Sequence, residues 1–454
     1  MKINAFLFTV VICIIGALNF VSAQPRILNE VLQLHNAQPN YSARSAAVGG
    51  AFTSLGADVV SFYQNPAGLA LYRSSEVFYG PGLSFKNTGS NFSQSKSGRS
   101  NFLFEGGSGG LLITSKRDRS KLKFINYGFA FHSSKSNNFT KTYRGLDEYT
   151  DNYGNDIVLE LEETITTKKS RYTELAFALA ANYDDKFLFG LNITTPKYTY
   201  NQRSDFTERD INNLFYSYER IFTETDSIIT NSSINIGFGM IYKITNNLRL
   251  GVNAKSSSLV TLQEEISSSL VEIDDYGDAE SPDSEFEQYF YVLNTAPQFN
   301  AGLSYLNQKG FISVDVGYIL NKRIRYFNEN LTEEGWFDYN AEINELLKNS
   351  VVFRVGAEYV PAQSLRLRAG YNLTTSPVQN NRVYSGTHSL SVGAGVRKAV
   401  FETETSSRTV FADAALKYSF YQSEYEIFGD IENSPFVDFN YHQLQLITTF
   451  GFKF

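Results

Sequence analysis

The chain has 454 residues, a formal net charge of −7, and 15% aromatic residues against 42% hydrophobic ones. The charge is mild and the acidic residues gather in polar segments, which argues against a nucleic-acid partner. After the N-terminal apolar stretch, no segment approaches the run of about 18 apolar residues that a membrane-spanning helix needs.

Residues 1–23 have the pattern of a secretory signal peptide. Lys2 precedes an apolar stretch from Ala5 to Val21, and small residues follow before Gln24. The single cysteine, Cys13, lies inside this stretch without the small preceding residue of a lipoprotein signal. We therefore expect a mature protein without a thiol, a disulfide or a lipid anchor.

Residues 24–74 lack strand alternation and are predicted to form a separate, mostly helical or coil segment. Apolar residues from Ile27 to Leu34 recur at helical spacing, and an Ala-, Gly- and Ser-rich stretch follows. Within it, Asn65-Pro66-Ala67-Gly68 reads as a helix start, because Asn caps a helix and Pro is preorganised at the first helical position. Gly68 is expected to permit an early stop.

From Ser75 onward, period-2 alternation predicts β-strands separated by connections that are short and long in strict turn. The short connections are residues 116–121, 183–186, 245–247, 307–310, 361–364 and 399–405; the long polar segments are 87–101, 136–169, 201–227, 262–286, 325–348, 375–387 and 422–438. Six short and seven long connections predict about fourteen strands. The fold class is therefore all-β, a transmembrane antiparallel barrel over residues 75–454 with tight periplasmic turns.

The alternation also assigns faces to the strands. Leu365 to Leu373 places apolar residues on one parity and Arg366, Arg368 and Gly370 on the other, and Tyr441 to Phe454 repeats the pattern and stops on an aromatic residue. A soluble β-sandwich would alternate as well. The signal peptide, the asymmetry of the connections and the terminal Phe together favour a barrel in the outer membrane of a Gram-negative bacterium.

The strand number makes the N-terminal segment a candidate plug. A barrel of about 8 strands is filled by its own side chains, whereas one of about 16 to 18 encloses a channel. About fourteen strands leave a lumen that residues 24–74 could fill as a hatch.

Part of the hatch sequence resembles that of a known protein family. Ser42 to Phe52, with Asp58 and Asn65-Pro66-Ala67-Gly68, resembles the FadL and TodX family of outer-membrane fatty acid and hydrocarbon transporters, here as a Bacteroidetes-like member. The resemblance implies fourteen strands, a hatch with an Asn-Pro-Ala motif, and passive uptake of long-chain fatty acids or aromatic hydrocarbons. It also implies a lateral exit where the third strand bends.

The matching run for that bend is Lys123 to His132, in which Gly128 is the strand-kink candidate. Gly128 could equally relieve crowding in the lumen.

Ligand-binding candidates are the side chains that the face assignment points into the lumen. The apolar ones are Phe124, Leu188, Val352 and Ile447; the basic ones near short turns are Arg249, Arg366, Arg368, Arg397 and Lys453. Apolar residues here could line a pocket or pack against the hatch. Arg366 and Arg368 are candidates for a carboxylate, although lumen charges could instead pair with Asp58, Glu76 or Glu358.

No enzyme is predicted. Gly106-Gly107-Ser108-Gly109-Gly110 matches a hydrolase pattern, but Leu111 to Ile113 continues as a strand rather than a helix. The ten acidic residues between Leu262 and Glu287 fit no calcium-loop template. We expect no catalytic residue, no metal and no cofactor.

The expected partners are a hydrophobic small molecule, outer-membrane lipid and lipopolysaccharide, and the barrel assembly machinery during biogenesis. The protein is expected to be a monomer. The alternative function is that of a PorV-like barrel, a protein-binding component of a secretion system.

Overall fold

The computed structural model describes residues 41–93, 95–117, 121–135, 138–150, 156–212, 214, 217–279, 283–327, 340–341, 343–380, 382–402, 407–427 and 435–454. The predicted signal peptide and the predicted hatch up to residue 40 lie outside these ranges. A short α-helix, α1, spans Ala43–Ala47, residues 340–341 and 343–346 are also helical, and 3-10 helices span Val59–Phe62, Pro66–Leu71 and Asn321–Arg323. No helix among the described residues is long and apolar enough to cross a membrane.

The strands are β1 (Glu76–Phe92), β2 (Ser95–Lys116), β3 (Leu122–Ser134), β4 (Phe139–Thr150), β5 (Asp156–Thr167), β6 (Arg171–Tyr183), β7 (Phe187–Asp210), β8 (Ser217–Ser232), β9 (Asn235–Lys243), β10 (Leu248–Lys255), β11 (Leu259–Asp274), β12 (Asp283–Asn294), β13 (Gln298–Asn307), β14 (Gly310–Ile319), β15 (Arg325–Phe327), β16 (Ser350–Ala362), β17 (Leu365–Thr374), β18 (Thr387–Glu402), β19 (Ser407–Glu426) and β20 (Phe436–Lys453).

Fourteen of these strands close into an antiparallel barrel. The ring runs β1, β2, β3, β6, β7, β9, β10, β13, β14, β16, β17, β18, β19 and β20, and β20 pairs again with β1. The predicted all-β barrel is confirmed. All six predicted short turns fall between consecutive strands of the ring, at one end of the barrel.

The long polar segments differ from the prediction, because most of them continue the sheet. β4, β5, β8, β11, β12 and β15 pair with each other and with the upper part of the 24-residue β7, beyond the outer end of the ring. In β11 the inward residues Val260, Leu262 and Ile266 do alternate, but Glu264 shares their buried face, and Thr261, Gln263 and Glu265 make the segment polar. Because its composition is polar, the segment resembles a loop in sequence although it forms a strand.

The outer surface of the ring is an apolar belt. Its exposed side chains include Val77, Tyr79, Phe85, Tyr127, Phe129, Phe131, Leu175, Phe177, Leu179, Phe189, Leu191, Ile193, Ile236, Phe238, Leu250, Phe299, Leu303, Ile312, Val314, Val316, Val351, Phe353, Leu367, Leu390, Val392, Val396, Val410, Leu416, Leu444, Leu446 and Phe450. A soluble protein rarely exposes so large an apolar surface. The chain is an outer-membrane-type barrel whose belt faces lipid.

The lumen is packed by the described part of the hatch, residues 41–74. Phe62, Leu69 and Ala70 form one core with lumen-facing residues such as Leu112 and Leu188. A separate core lies in the outer extension. It contains Tyr198, Tyr200, Ile228, Val260, Leu262, Tyr291, Leu293, Ile324, Tyr326, Ile343, Leu347, Val378 and Tyr384.

A ring of lumen-facing glycines, here called the glycine belt, lets the hatch touch the wall directly. The belt consists of Gly190, Gly239, Gly251, Gly302, Gly356, Gly370 and Gly393, which lie on seven different strands. At six of them, an added Cβ would overlap atoms of hatch residues between Ala47 and Ala67; at Gly302 it would overlap Asp315 of the wall and lie 3.0 Å from the Thr53 Cβ of the hatch. The hatch therefore contacts the wall closely along seven of the fourteen barrel strands.

This close contact predicts a position-specific penalty. In Gly370→Ala, the new methyl group would overlap the Gly49 nitrogen, so we expect the free energy of unfolding to fall by about 1–3 kcal/mol through overpacking. The matched control is Gly89→Ala on β1, where the nearest atom is 4.0 Å from the new Cβ. Urea unfolding in lipid vesicles measures both. Equal stability of the two variants would contradict close packing at the belt.

Candidate functional site

The Asn-Pro-Ala-Gly segment begins a helix, as the sequence predicts, and its contacts also join parts of the hatch to the wall. Asn65 caps the 3-10 helix Pro66–Leu71: its Oδ1 accepts from the Ala67 N–H at 3.1 Å. Its Nδ2 donates to the Thr53 carbonyl at 2.6 Å and to the Val252 carbonyl of β10 at 3.3 Å. One side chain thus joins the helix start, a second part of the hatch and the barrel wall.

The sequence predicts that Gly68 permits an early stop of this helix, but the helix does not end there. The helix continues to Leu71. A Cβ on Gly68 would meet the Cα of Gly56 at 2.8 Å and overlap Ser61. Gly68 therefore permits two hatch segments to approach each other closely.

A charged contact holds the opposite side of the hatch. Arg44 of α1 lies 3.5 Å from Glu358 of β16 and donates to the Ala57 carbonyl at 3.0 Å. Burial disfavours the charge on Arg44, yet Glu358, Asp58 and Asp413 together raise the pKa of the guanidinium above its ordinary value. Arg44 therefore stays charged and links the hatch to the wall.

A polar row crosses the lumen wall at the level of the hatch. Ser108, His132 and Glu174 are consecutive register partners on β2, β3 and β6, and all three are buried. The Ser108 hydroxyl and His132 Nδ1 are 2.8 Å apart. Glu174 pairs with Lys255 of β10 at 3.2 Å and accepts a hydrogen bond from the Tyr172 hydroxyl at 2.8 Å.

The wall beside this row has irregular strand pairing and few side chains. On β1, Gly80 pairs with Ser108 but Gly82 pairs with Glu105, so the register skips Gly106 and Gly107 on β2. Gly107 has φ of +76°, which favours glycine, and Pro81 provides no N–H for the ladder. We call the section formed by Gly80, Pro81, Gly82, Gly106 and Gly107 the glycine window. It is a patch of wall that has almost no side chains.

Gly128, the predicted kink candidate, lies in a regular ladder. It pairs with Leu112 on β2 and Ala178 on β6, and the register is continuous on either side of it. An added Cβ would overlap the Leu111 carbonyl and lie 3.0 Å from the Leu112 Cα. The nearest irregularity in β3 is at Leu122 to Phe124, at the opposite end of the strand from Ser134.

The four apolar ligand candidates are not gathered at one place. Leu188 and Ile447 pack with hatch residues, Val352 is buried on β16, and Phe124 lies under the Arg73 guanidinium at 4.2 Å. A ligand role for these residues stays a prediction.

The two basic candidates have different environments. Arg368 is buried between Glu358 at 2.7 Å and Asp413 at 2.6 Å, so two carboxylates already occupy its guanidinium. Arg366 donates to the Gln363 carbonyl at 3.3 Å near a short turn. The sequence left open whether lumen charges bind ligand or pair; the geometry of Arg368 is that of a paired charge.

Sequence reasoning missed the polar row and the aromatic residues around it. Tyr41, Tyr63, His132, Tyr172 and Glu174 lie up to 133 residues apart in the chain. The available signal was weak: Ser108 and His132 are polar residues at lumen parity, flanked by glycine and aromatic residues. Only the strand register brings them together.

The comparisons with known proteins concern the fold. The structure is similar to a Pseudomonas aeruginosa FadL homologue (TM-score 0.59, 12% identity, 92% of this chain and 98% of that chain). It is also similar to the toluene transporters TodX of P. putida (0.57, 12%, 91% and 99%) and TbuX of Ralstonia pickettii (0.51, 13%, 92% and 100%). No protein-family model and no curated protein matches the sequence. The chain therefore has the fold of these outer-membrane channels.

The Asn65 contacts predict how firmly the hatch is seated. Asn65→Ala removes the helix cap and two donated hydrogen bonds, so we expect a loss of about 1–3 kcal/mol in hatch stability. Asn65→Asp keeps the cap acceptor but sets a carboxylate against two carbonyls and should be at least as harmful. Protease cleavage within the hatch measures the effect, with the exposed Asn87→Ala as control. A hatch as resistant in Asn65→Ala as in the control would contradict this anchoring role.

Proposed function

We propose that this protein is a FadL/TodX-type channel for passive uptake of hydrophobic small molecules across the outer membrane. The observation that carries the proposal is a closed fourteen-stranded barrel whose lumen is filled by a hatch seated on the glycine belt. A general porin would leave an aqueous channel. The neighbours of this fold include two proteins described as toluene transporters, so monoaromatic hydrocarbons and long-chain fatty acids are the substrate classes to test first.

The packing of the hatch favours a lateral route. Moving the hatch as one body would break its contacts with all seven belt strands, the Asn65 hydrogen bonds and the Arg44 to Glu358 pair together. A substrate that leaves through the wall into the membrane avoids most of this cost. Hatch movement is then confined to the side where the wall is already irregular.

The exit in this proposal is the glycine window between β1 and β2. Gly128 in β3 has a continuous ladder, whereas the window has a register shift, a proline and a positive-φ glycine. Its outer side carries Tyr79 and Phe131, whose ring centroids are 6.5 Å apart in the lipid-facing belt. A hydrophobic molecule would pass from the lumen to lipid through backbone that offers few side chains to displace.

A reversible crosslink tests the exit. A Cβ built on Gly82 lies 3.4 Å from the Glu105 Cβ, close to the separation in disulfides, which averages about 3.8 Å. Gly82→Cys/Glu105→Cys should therefore form a bond that closes the window. We expect uptake of radiolabelled toluene and oleate in a transporter-deficient host to fall at least about fivefold when oxidised and to recover on reduction.

Two controls make the result specific. Ser90→Cys/Ser97→Cys crosslinks register partners in the regular part of the same two strands and should leave uptake unchanged. The single variant Glu105→Cys, which cannot form the crosslink, controls for the loss of the hydrogen bonds that Glu105 accepts from Ser134 and Lys135. Normal uptake through the oxidised window would refute this exit. Absence of uptake by the parent protein, with protein partners co-purifying in mild detergent, would favour the PorV-like role instead.

A further inference from the structure

Tyr41, at the start of the described hatch, occupies a site that has the features of a ligand pocket. Its ring is stacked on Tyr63, with centroids 3.9 Å apart and planes 7° from parallel. His132 approaches the ring edge-on at 5.1 Å. The Tyr41 hydroxyl donates to Glu174 Oε2 at 2.7 Å. A phenol ring is thus held by two aromatic neighbours and one carboxylate.

The carboxylate of Glu174 is fixed by groups other than Tyr41. Tyr172 donates to the same oxygen at 2.8 Å, and Lys255 lies 3.2 Å from the other oxygen. Burial and the adjacent carboxylate raise the pKa of the Tyr41 hydroxyl well above its ordinary value, so it remains a donor. The Glu174 carboxylate is therefore positioned to accept a hydrogen bond from any phenol hydroxyl at this site, not only from that of Tyr41.

Two further polar atoms at this site have no hydrogen-bond partner among the described residues. They are His132 Nε2, on the ring whose Nδ1 contacts Ser108, and the Tyr63 hydroxyl. Buried polar atoms are rarely left unpaired, and each such case calls for an explanation. Both rings are in contact with Tyr41, which cannot satisfy either atom while its only hydroxyl is bound to Glu174.

Tyr41 is the part of the described hatch best placed to leave. The helix cap and first backbone hydrogen bond of the hatch involve Ser42, and within the described residues Tyr41 itself has no backbone hydrogen bond. Its side chain remains partly accessible. Movement of Tyr41 alone would empty the site without disturbing any contact with the glycine belt, because none of the belt glycines contacts Tyr41.

We propose that Tyr63, His132, Tyr172, Glu174 and Lys255 form a binding subsite for a phenolic monoaromatic compound, which Tyr41 occupies when no ligand is bound. The ligand ring replaces the Tyr41 ring on Tyr63, and its hydroxyl donates to Glu174. The proposal rests on the transport function and narrows its substrate class. His132 pairs with Ser108, which pairs with Gly80, so the subsite lies directly inside the glycine window.

The test is equilibrium binding of p-cresol and toluene to the purified full-length protein in detergent, by calorimetry. These ligands differ by one hydroxyl. We expect the parent protein to bind p-cresol about tenfold more tightly than toluene, because a hydrogen bond to a charged acceptor has that effect. Tyr41→Phe, which competes for the same place without its own hydrogen bond to Glu174, should bind p-cresol several-fold more tightly still.

Glu174→Gln tests the acceptor. It should reduce the preference for p-cresol to about threefold or less and leave toluene binding unchanged. Tyr172→Phe is a second variant that keeps the charge pair with Lys255, in case Glu174→Gln does not assemble. It should weaken p-cresol binding about threefold, because Glu174 loses one of the donors that orient it. Heat-modifiable migration on gels shows whether each variant is folded.

Two outcomes would overturn the subsite. One is equal affinity of the parent protein for both ligands; the other is p-cresol binding that appears only in Tyr41→Ala, as expected if a truncated structural contact leaves a cavity. Cellular uptake separates this failure from failure of the proposed function. Normal uptake of toluene and oleate without any preference for p-cresol would refute only the proposed subsite. No uptake of any of these compounds would refute the proposed transport function as well.

Discussion

The structure depends on direct contact between the hatch and the glycine backbone of the barrel wall. A fourteen-stranded barrel is too wide to be filled by its own side chains, and a short hatch fills it only if the wall does not intrude. The glycine belt meets that requirement on seven strands. On other strands small residues serve the same purpose, including Ala178 on β6 and Ala415 on β19, both in contact clusters with the hatch. Close packing at this level fixes where every other group of the lumen can lie.

This seating explains the arrangement of charge. Because α1 packs against β17, β18, β19 and β20, its Arg44 reaches Glu358 on the neighbouring β16, which also accepts from Arg368. Removing the hatch would leave Glu358 with one cation instead of two and expose apolar wall to water. Uncompensated buried charges are costly, so the charged cluster opposes wholesale loss of the hatch. The polar row lies on the other side, where Ser108, His132 and Glu174 come from β2, β3 and β6.

The sequence predicted the features that depend on local pattern. Lipid and lumen alternate along each strand, so residues such as Leu367 and Arg368 could be assigned to opposite faces, and the structure places them there. Asn65 and Pro66 predicted a helix start for the same local reason. The outer strands were missed because Val260, Leu262 and Ile266 are separated by Thr, Gln and Glu, and polar composition resembles that of a loop.

Features that depend on register could not be predicted. Gly107 and Gly128 are both glycines within strands, and composition does not distinguish a residue that creates a bulge from one that allows strands to pack closely. The difference appears only when partners are known: Gly107 lies where β1 and β2 lose register, and Gly128 faces the backbone of Leu111 and Leu112. The contact of Tyr41 with Glu174 spans 133 residues and arises from the same nonlocal constraint.

The polar row differs from a nucleophilic serine site in how its histidine is held. In a nucleophilic serine site, one histidine nitrogen takes the serine proton while the other is oriented by a carboxylate. Here Ser108 contacts His132 Nδ1, while Nε2 has no partner among the described residues. The nearby carboxylate of Glu174 is already bound by Tyr41, Tyr172 and Lys255. The row therefore places hydrogen-bonding groups beside the aromatic rings of Tyr41, Tyr63 and Tyr172 in the lumen.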